Sequence, residues 1–121
     1  MSRNIIINAD DLGFTLGVNL AIQKAHQEGF LTHASLVANT DFFDHAISEI
    51  SPSCPNLKIG LHLNLTVGNS FIEGSSFSEN GKFNNTFVKL LFLRKSEKVL
   101  KELEAEIEAQ IVKLKSNGID I

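Results

Sequence analysis

Two adjacent aspartates, Asp10 and Asp11, follow the apolar run Ile5-Ile6-Ile7-Asn8-Ala9, and a histidine, His62, stands inside a second apolar run, Lys58 to Leu65. Neighbouring carboxylates repel, and nothing in folding asks for a pair of them at the end of an apolar segment. A divalent cation relieves the repulsion and leaves one carboxylate free as a base. Carboxylate plus imidazole suits Zn, Mn or Fe, whereas a carboxylate-rich site completed by water suits Mg. Each feature also has a plainer use. An Asp-Asp pair caps helices and forms turns, and a histidine flanked by leucines serves as a half-buried hydrogen-bonding group. The elements that carry these residues decide between the readings.

Asn4 to Ala9 has the continuous, β-branched character of a strand buried on both faces. Val18, Ala21, Ile22 and Ala25 fall at helical spacing and Gly29 takes the place of a C′ glycine, which predicts a helix over Leu16 to Glu28. A second strand is expected at Thr32 to Asn39, and a second helix at Asp41 to Ile50, closed by Pro52 and Pro55. A third strand, Lys58 to Leu65, alternates Ile59, Leu61, Leu63 and Leu65 with Gly60, His62 and Asn64, so His62 faces away from the leucines. Residues 66–84, rich in Gly, Ser, Asn and Phe with the turn signal Ser-Glu-Asn-Gly-Lys at 78–82, read as a long surface loop and a candidate for substrate contact. Ser96 can cap a last helix, Glu97 to Asn117, ended by Gly118; its stripe Leu100, Leu103, Ile107, Ile111 and Leu114 is expected to lie on a sheet.

This alternation of strands and helices specifies the α/β class with a parallel sheet and crossover helices. Active sites in such sheets gather at the C-terminal strand ends. Asp10, Asp11 and His62 are all expected at that edge, which favours a joint role over three separate structural ones. Only Ile119, Asp120 and Ile121 follow the last helix, so the strand it should lead to is expected outside this sequence.

Composition narrows the partners. A chain of 121 residues with 43% hydrophobic content suits one domain. Its 11 Lys and Arg against 14 Asp and Glu give a net charge of −3, which offers no field for a polyanion, so nucleic acid is not expected. The run Ile5 to Ile7 is too short for a membrane span or a signal peptide, so no membrane partner is expected either. The single cysteine, Cys54, has no internal partner, and a reducing cytoplasmic setting is the default expectation. His26 lies near a helix C-terminus, where the helix dipole favours a partly cationic ring, a structural role. His33 and His45 have no partner visible in sequence, Asn39 could reach the functional rim or form a turn, and Cys54 reads as a spectator thiol.

The segments Ile5 to Thr15 (IIINADDLGFT), Val18-Asn19, Ala21-Ile22, Gly29 to Leu36 (GFLTHASL) and Gly60 to Thr66 (GLHLNLT), with Glu106, Gln110 and Ile111 in the last helix, resemble the YdjC-like carbohydrate deacetylases of the chitooligosaccharide-deacetylase type. The resemblance runs from residue 5 to about residue 117. It implies a (β/α) barrel, of which residues 1–121 would be roughly the first half, and hydrolysis of the acetamide of N-acetylated sugars such as chito-oligosaccharides. By position, Asp10 matches the family's proposed catalytic base, while Asp11 and His62 match two ligands of its divalent ion, Mg or Zn. The third ligand belongs to a His-rich strand outside this sequence, so these 121 residues alone are expected to be inactive. Half a barrel would leave sheet edges open, and association with a second copy, a homo-oligomer, is expected.

Two rivals belong to other classes. A receiver-like signalling domain also carries an Mg-binding acidic pair after its first strand, but it needs a phospho-accepting aspartate at the end of the third, where this sequence has His62. A non-catalytic sugar-binding or assembly protein of the same fold would keep the cleft without the chemistry.

Overall fold

The computed structural model describes residues 5–121. Asn4, where the first strand was expected to begin, lies outside them. Three parallel strands, β1 (Asn8–Leu12), β2 (His33–Val37) and β3 (Lys58–His62), form one sheet in the order β1-β2-β3. Helix α1 (Leu16–Gln27) links β1 to β2. The next crossover is one continuous helical run, α2 (Phe43–His45), a π-helical stretch Ala46–Ile50 and α3 (Ser51–Ser53); Pro52 stands in its last turn instead of closing it, and lacks the N–H that a helical residue donates there. After β3 come a two-stranded hairpin, β4 (Ser78–Glu79) and β5 (Lys82–Phe83), the short helix α4 (Phe87–Phe92) and the long helix α5 (Glu97–Ser116). The α/β class with a parallel sheet is therefore established. The order of neighbours also separates this chain from the receiver-type doubly wound sheet, in which the first strand lies between the second and third.

The core lies between the sheet and the helices. Leu12 and Leu36 from the strands meet Ile22 of α1, Phe43 and Ile50 of the second helical run and Leu114 of α5, all buried. Thr15 and Ser96 cap α1 and α5 by accepting from the backbone N–H groups of Val18 and Val99. Gly118, at φ +80°, ends α5 in a Schellman motif. Its N–H bonds to the Lys115 carbonyl, that of Ile119 bonds to the Leu114 carbonyl, and Ile119 joins Leu114 in the core.

Three expectations need correction. The first strand is not buried on both faces: it starts at Asn8, Ile5 to Ile7 precede it exposed, and β1 is an edge strand with one hydrogen-bonded neighbour among the described residues. The third strand stops at His62, because the chain then turns to place Asn64 against α5. The stripe of α5 does not lie on the sheet as a whole. Of its five members only Leu114 is fully buried, while Glu106 and Gln110 face inward and Leu100 is exposed. These polar side chains turn inward because unpaired backbone groups of the segment after β3 need partners there. That segment, residues 66–84, is more ordered than its composition suggested. It folds back through a two-residue turn, Asn80-Gly81, both at positive φ, and buries Phe77 against Phe83, ring centroids 6.1 Å apart.

Candidate functional site

The chain reaches the C-terminal edge of β1 through a β-bulge. Ala9 pairs with Ala34 and Leu12 with Leu36, so three steps along β1 match two along β2. Asp11 absorbs the extra residue at φ +66°, the left-handed region that aspartate tolerates better than most side chains. In an unbroken strand Asp10 and Asp11 would point to opposite faces. The bulge lets both approach one imidazole: Asp10 Oδ1 lies 4.0 Å from His62 Nδ1, and Asp11 Oδ1 lies 3.6 Å from His62 Nε2. All three residues named from the sequence are thus brought together.

A fourth residue completes the cluster. Ser35, in the middle of β2, donates from Oγ to Asp10 Oδ1 at 2.8 Å, and the same Oγ is 3.0 Å from His62 Nδ1. Asn8 Nδ2 donates to the same Asp10 oxygen at 2.9 Å. The parallel register, Ser35 opposite Gly60 and Val37 opposite His62, sets Ser35 and His62 on one face. Sequence reading passed over Ser35: its place between Ala34 and Leu36 sets it on the opposite face of the strand from them, and only the register with β3 gives it a partner.

Behind the bulge the turn is fixed from within. Gly13, at φ +86°, donates its N–H to Oδ1 of the fully buried Asn19, whose Nδ2 donates to the Phe42 carbonyl. A Cβ on Gly13 would stand 2.8 Å from Leu36 Cδ1, so only glycine fits the turn that follows the aspartates. On the other side, Gln110 clasps the backbone of Asn64, donating to its carbonyl at 2.7 Å and accepting from its N–H at 3.1 Å. The Asn64 side chain in turn holds Asn39, Thr66 and Val67. Asn39 therefore supports the rim as a buried structural group. A cleft of ≈ 380 Å³ opens over this edge, lined by Asp11, His62, Phe14, Leu65, Val67 and Leu90.

Asp11 and His62 offer one oxygen and one nitrogen donor. Their 3.6 Å separation is one that two ligands of a single divalent ion span at ligand lengths of about 2.0–2.2 Å. Among the described residues no group of three His, Cys, Asp or Glu forms a complete metal site. The donor chemistry fits a shared ion, and a further ligand is needed. The other histidines lie elsewhere: His26 Nδ1 donates to the Leu31 carbonyl at the end of α1, His45 meets Asn19 and His33 meets Thr32. Cys54 is buried. Among the described residues no helix is long and apolar enough to cross a membrane.

Comparison with known proteins adds an independent line. A family model described as YdjC-like protein matches residues 4–121. A carbohydrate deacetylase of Brevibacillus brevis is 34% identical over 119 residues, covering 97% of this chain and 46% of that protein. Carbohydrate deacetylase 2 of Listeria innocua is 36% identical over 120 residues, covering 96% of this chain and 48% of its own length. A crystal structure from Enterococcus faecalis V583, of a protein provisionally described as a cellobiose-phosphate cleavage protein, superposes with a TM-score of 0.78 at 32% identity, covering 93% of this chain and 44% of that one. The chain spans about half the length of the curated relatives it matches.

Proposed function

The chain belongs to the YdjC-like protein family, and from that premise we propose that the full-length protein removes acetyl groups from N-acetylated sugars, such as chito-oligosaccharides, by metal-assisted amide hydrolysis. The observation that carries this reading is the convergence of Asp10, Asp11 and His62 on one rim of the sheet, at the mouth of a cleft. The names of the relatives support removal of an acetyl group from a carbohydrate, and the N-acetylated, chito-oligosaccharide type rests on the sequence resemblance.

In this proposal Asp11 and His62 hold a divalent ion, Mg or Zn, together with a ligand outside the described residues. When bound, such an ion lowers the pKa of water toward 7 and polarises the acetyl carbonyl. Asp10 is the base. Among the described residues both hydrogen bonds to its carboxylate, from Asn8 and Ser35, fall on Oδ1, which orients the group and leaves Oδ2 to take the proton of the attacking water. Phe14, Leu65 and Val67 present apolar surface beside the polar edge, suited to the acetyl methyl and the face of a sugar ring. A closed (β/α) barrel, the arrangement that sequential parallel strands begin, would supply the missing ligand from a later strand.

Acetate release from N-acetylglucosamine oligomers by the metal-loaded full-length protein tests this function. Turnover should disappear in His62→Ala. Absence of acetate from every N-acetylated sugar offered to the metal-loaded wild type would overturn the reading.

A further inference from the structure

We propose that Ser35 is a positioning residue that fixes the tautomer of His62, with the proton on Nδ1 and the lone pair of Nε2 turned toward Asp11; the use of that lone pair as a ligand rests on the function proposed above. The argument is an account of protons. A serine hydroxyl has one proton to give. Ser35 Oγ lies 2.8 Å from Asp10 Oδ1 and 3.0 Å from His62 Nδ1. An ionised carboxylate only accepts, so the hydroxyl proton must point at Asp10; two oxygen acceptors at that distance would otherwise repel. The Ser35 oxygen is then left to accept at its other contact, and His62 Nδ1 must be the donor. Asp10 cannot replace it directly, because 4.0 Å is beyond hydrogen-bond reach.

The consequence falls on the other ring nitrogen. With the proton on Nδ1, a neutral His62 carries its lone pair on Nε2, the atom 3.6 Å from Asp11 Oδ1. A neutral histidine free in water favours the opposite tautomer, with Nε2 protonated, so the required form must be imposed by the surroundings. The chain His62 Nδ1–H to Ser35 Oγ–H to Asp10 Oδ1 imposes it, and it also ties the orientation of the base to that of the ligand. Asn8, donating to the same oxygen, keeps Asp10 in place as the end of the chain.

Nitrogen-15 NMR of the histidine rings in metal-free full-length protein, at a pH where His62 is neutral, reads the tautomer without any reference to activity. Wild-type His62 should show a protonated Nδ1 and an unprotonated Nε2. In Ser35→Ala the Nε2-protonated form should become populated and Mn²⁺ affinity should fall about tenfold. Ser35→Thr, which retains the hydroxyl, should restore both. A wild-type His62 protonated on Nε2 would overturn the proposal, as would a Ser35→Ala protein with unchanged tautomer and unchanged Mn²⁺ affinity. Should the alanine variant fold poorly, the wild-type tautomer and the threonine variant still decide. A full-length protein that releases no acetate but shows the stated tautomer would remove the deacetylase reading and support the positioning role of Ser35.

Discussion

Glu106 and the Asp10–Asp11 pair are all carboxylates placed against backbone, yet they differ in what is left over once the chain has folded. Glu106 is fully buried; its Oε2 accepts from Ser70 Oγ and from the N–H groups of Phe71 and Ile72, and its Oε1 accepts from Gln110. Both oxygens are engaged by donors inside the fold, and no cation is called for. Asp10 and Asp11 have side chains 68% and 53% exposed. Among the described residues Asp10 uses one oxygen and leaves the other open, and the Asp11 carboxylate accepts no hydrogen bond. A carboxylate saturated by donors holds structure, whereas one left open at a sheet edge beside an imidazole is available to a ligand or a proton.

If that contrast is correct, substitutions on the two sides should separate activity from stability. Asp10→Asn is expected to lower turnover of the full-length protein by about 10²–10⁴-fold with an unchanged melting temperature; a loss of stability parallel to the loss of activity would erase the distinction. Glu106→Ala should do the reverse to the fold, costing about 3 kcal/mol in a denaturant titration because four donors, two of them buried and two part-buried, lose their acceptor. Gln110→Ala removes the clasp on Asn64 and should cost about 2 kcal/mol by the same measurement.

Smaller effects sharpen the contrast further. Asp11 is held at φ +66°, so Asp11→Gly should raise stability by about 0.5–1 kcal/mol while weakening metal binding, opposite signs at one position. A stability loss there would show that the bulge is not strained. The smallest effect belongs to the half-buried Glu102 of α5, where hydrogen bonds from Ser76, hydroxyl and then backbone N–H, hold its carboxyl below the usual glutamate value, with Lys98 adding to the effect. A carboxylate with a lowered folded pKa contributes stability above its unfolded value of 4.5 and loses it as pH falls through the folded one. Glu102→Gln should therefore lower stability slightly at neutral pH and leave it unchanged in strong acid; a uniform shift across pH would contradict this.

The legible and the illegible parts of the sequence divide along physical lines. Period-two alternation in Ile59 to Leu65 and the abrupt end of the apolar run at Asp10 were enough to bring Asp10, Asp11 and His62 to one edge, because strand direction and pleat fix those positions. The bulge was not legible, since it depends on the backbone angle of Asp11 and not on residue type alone. Ser35 was missed because a lone hydroxyl in a strand means nothing until the register with β3 is known. The stripe of α5 misled for a different reason. Spacing assigns an apolar face inward, but the unpaired N–H groups of Phe71 and Ile72 recruited Glu106 instead, and backbone satisfaction outweighed the burial of Leu100. Asn80-Gly81 carried a turn signal that could have marked the hairpin, but strands of two residues on each side are too short to show a period.

The division of labour between a base and two ligands is the central claim, and metal content measured on the same samples as acetate release tests it most directly. With full-length wild type, Asp10→Asn, Asp11→Asn and His62→Ala, the account expects the Asp10 variant to keep its metal while losing turnover, and the other two to lose both. Equal loss of metal from all three variants, or full retention by Asp11→Asn and His62→Ala, would contradict it.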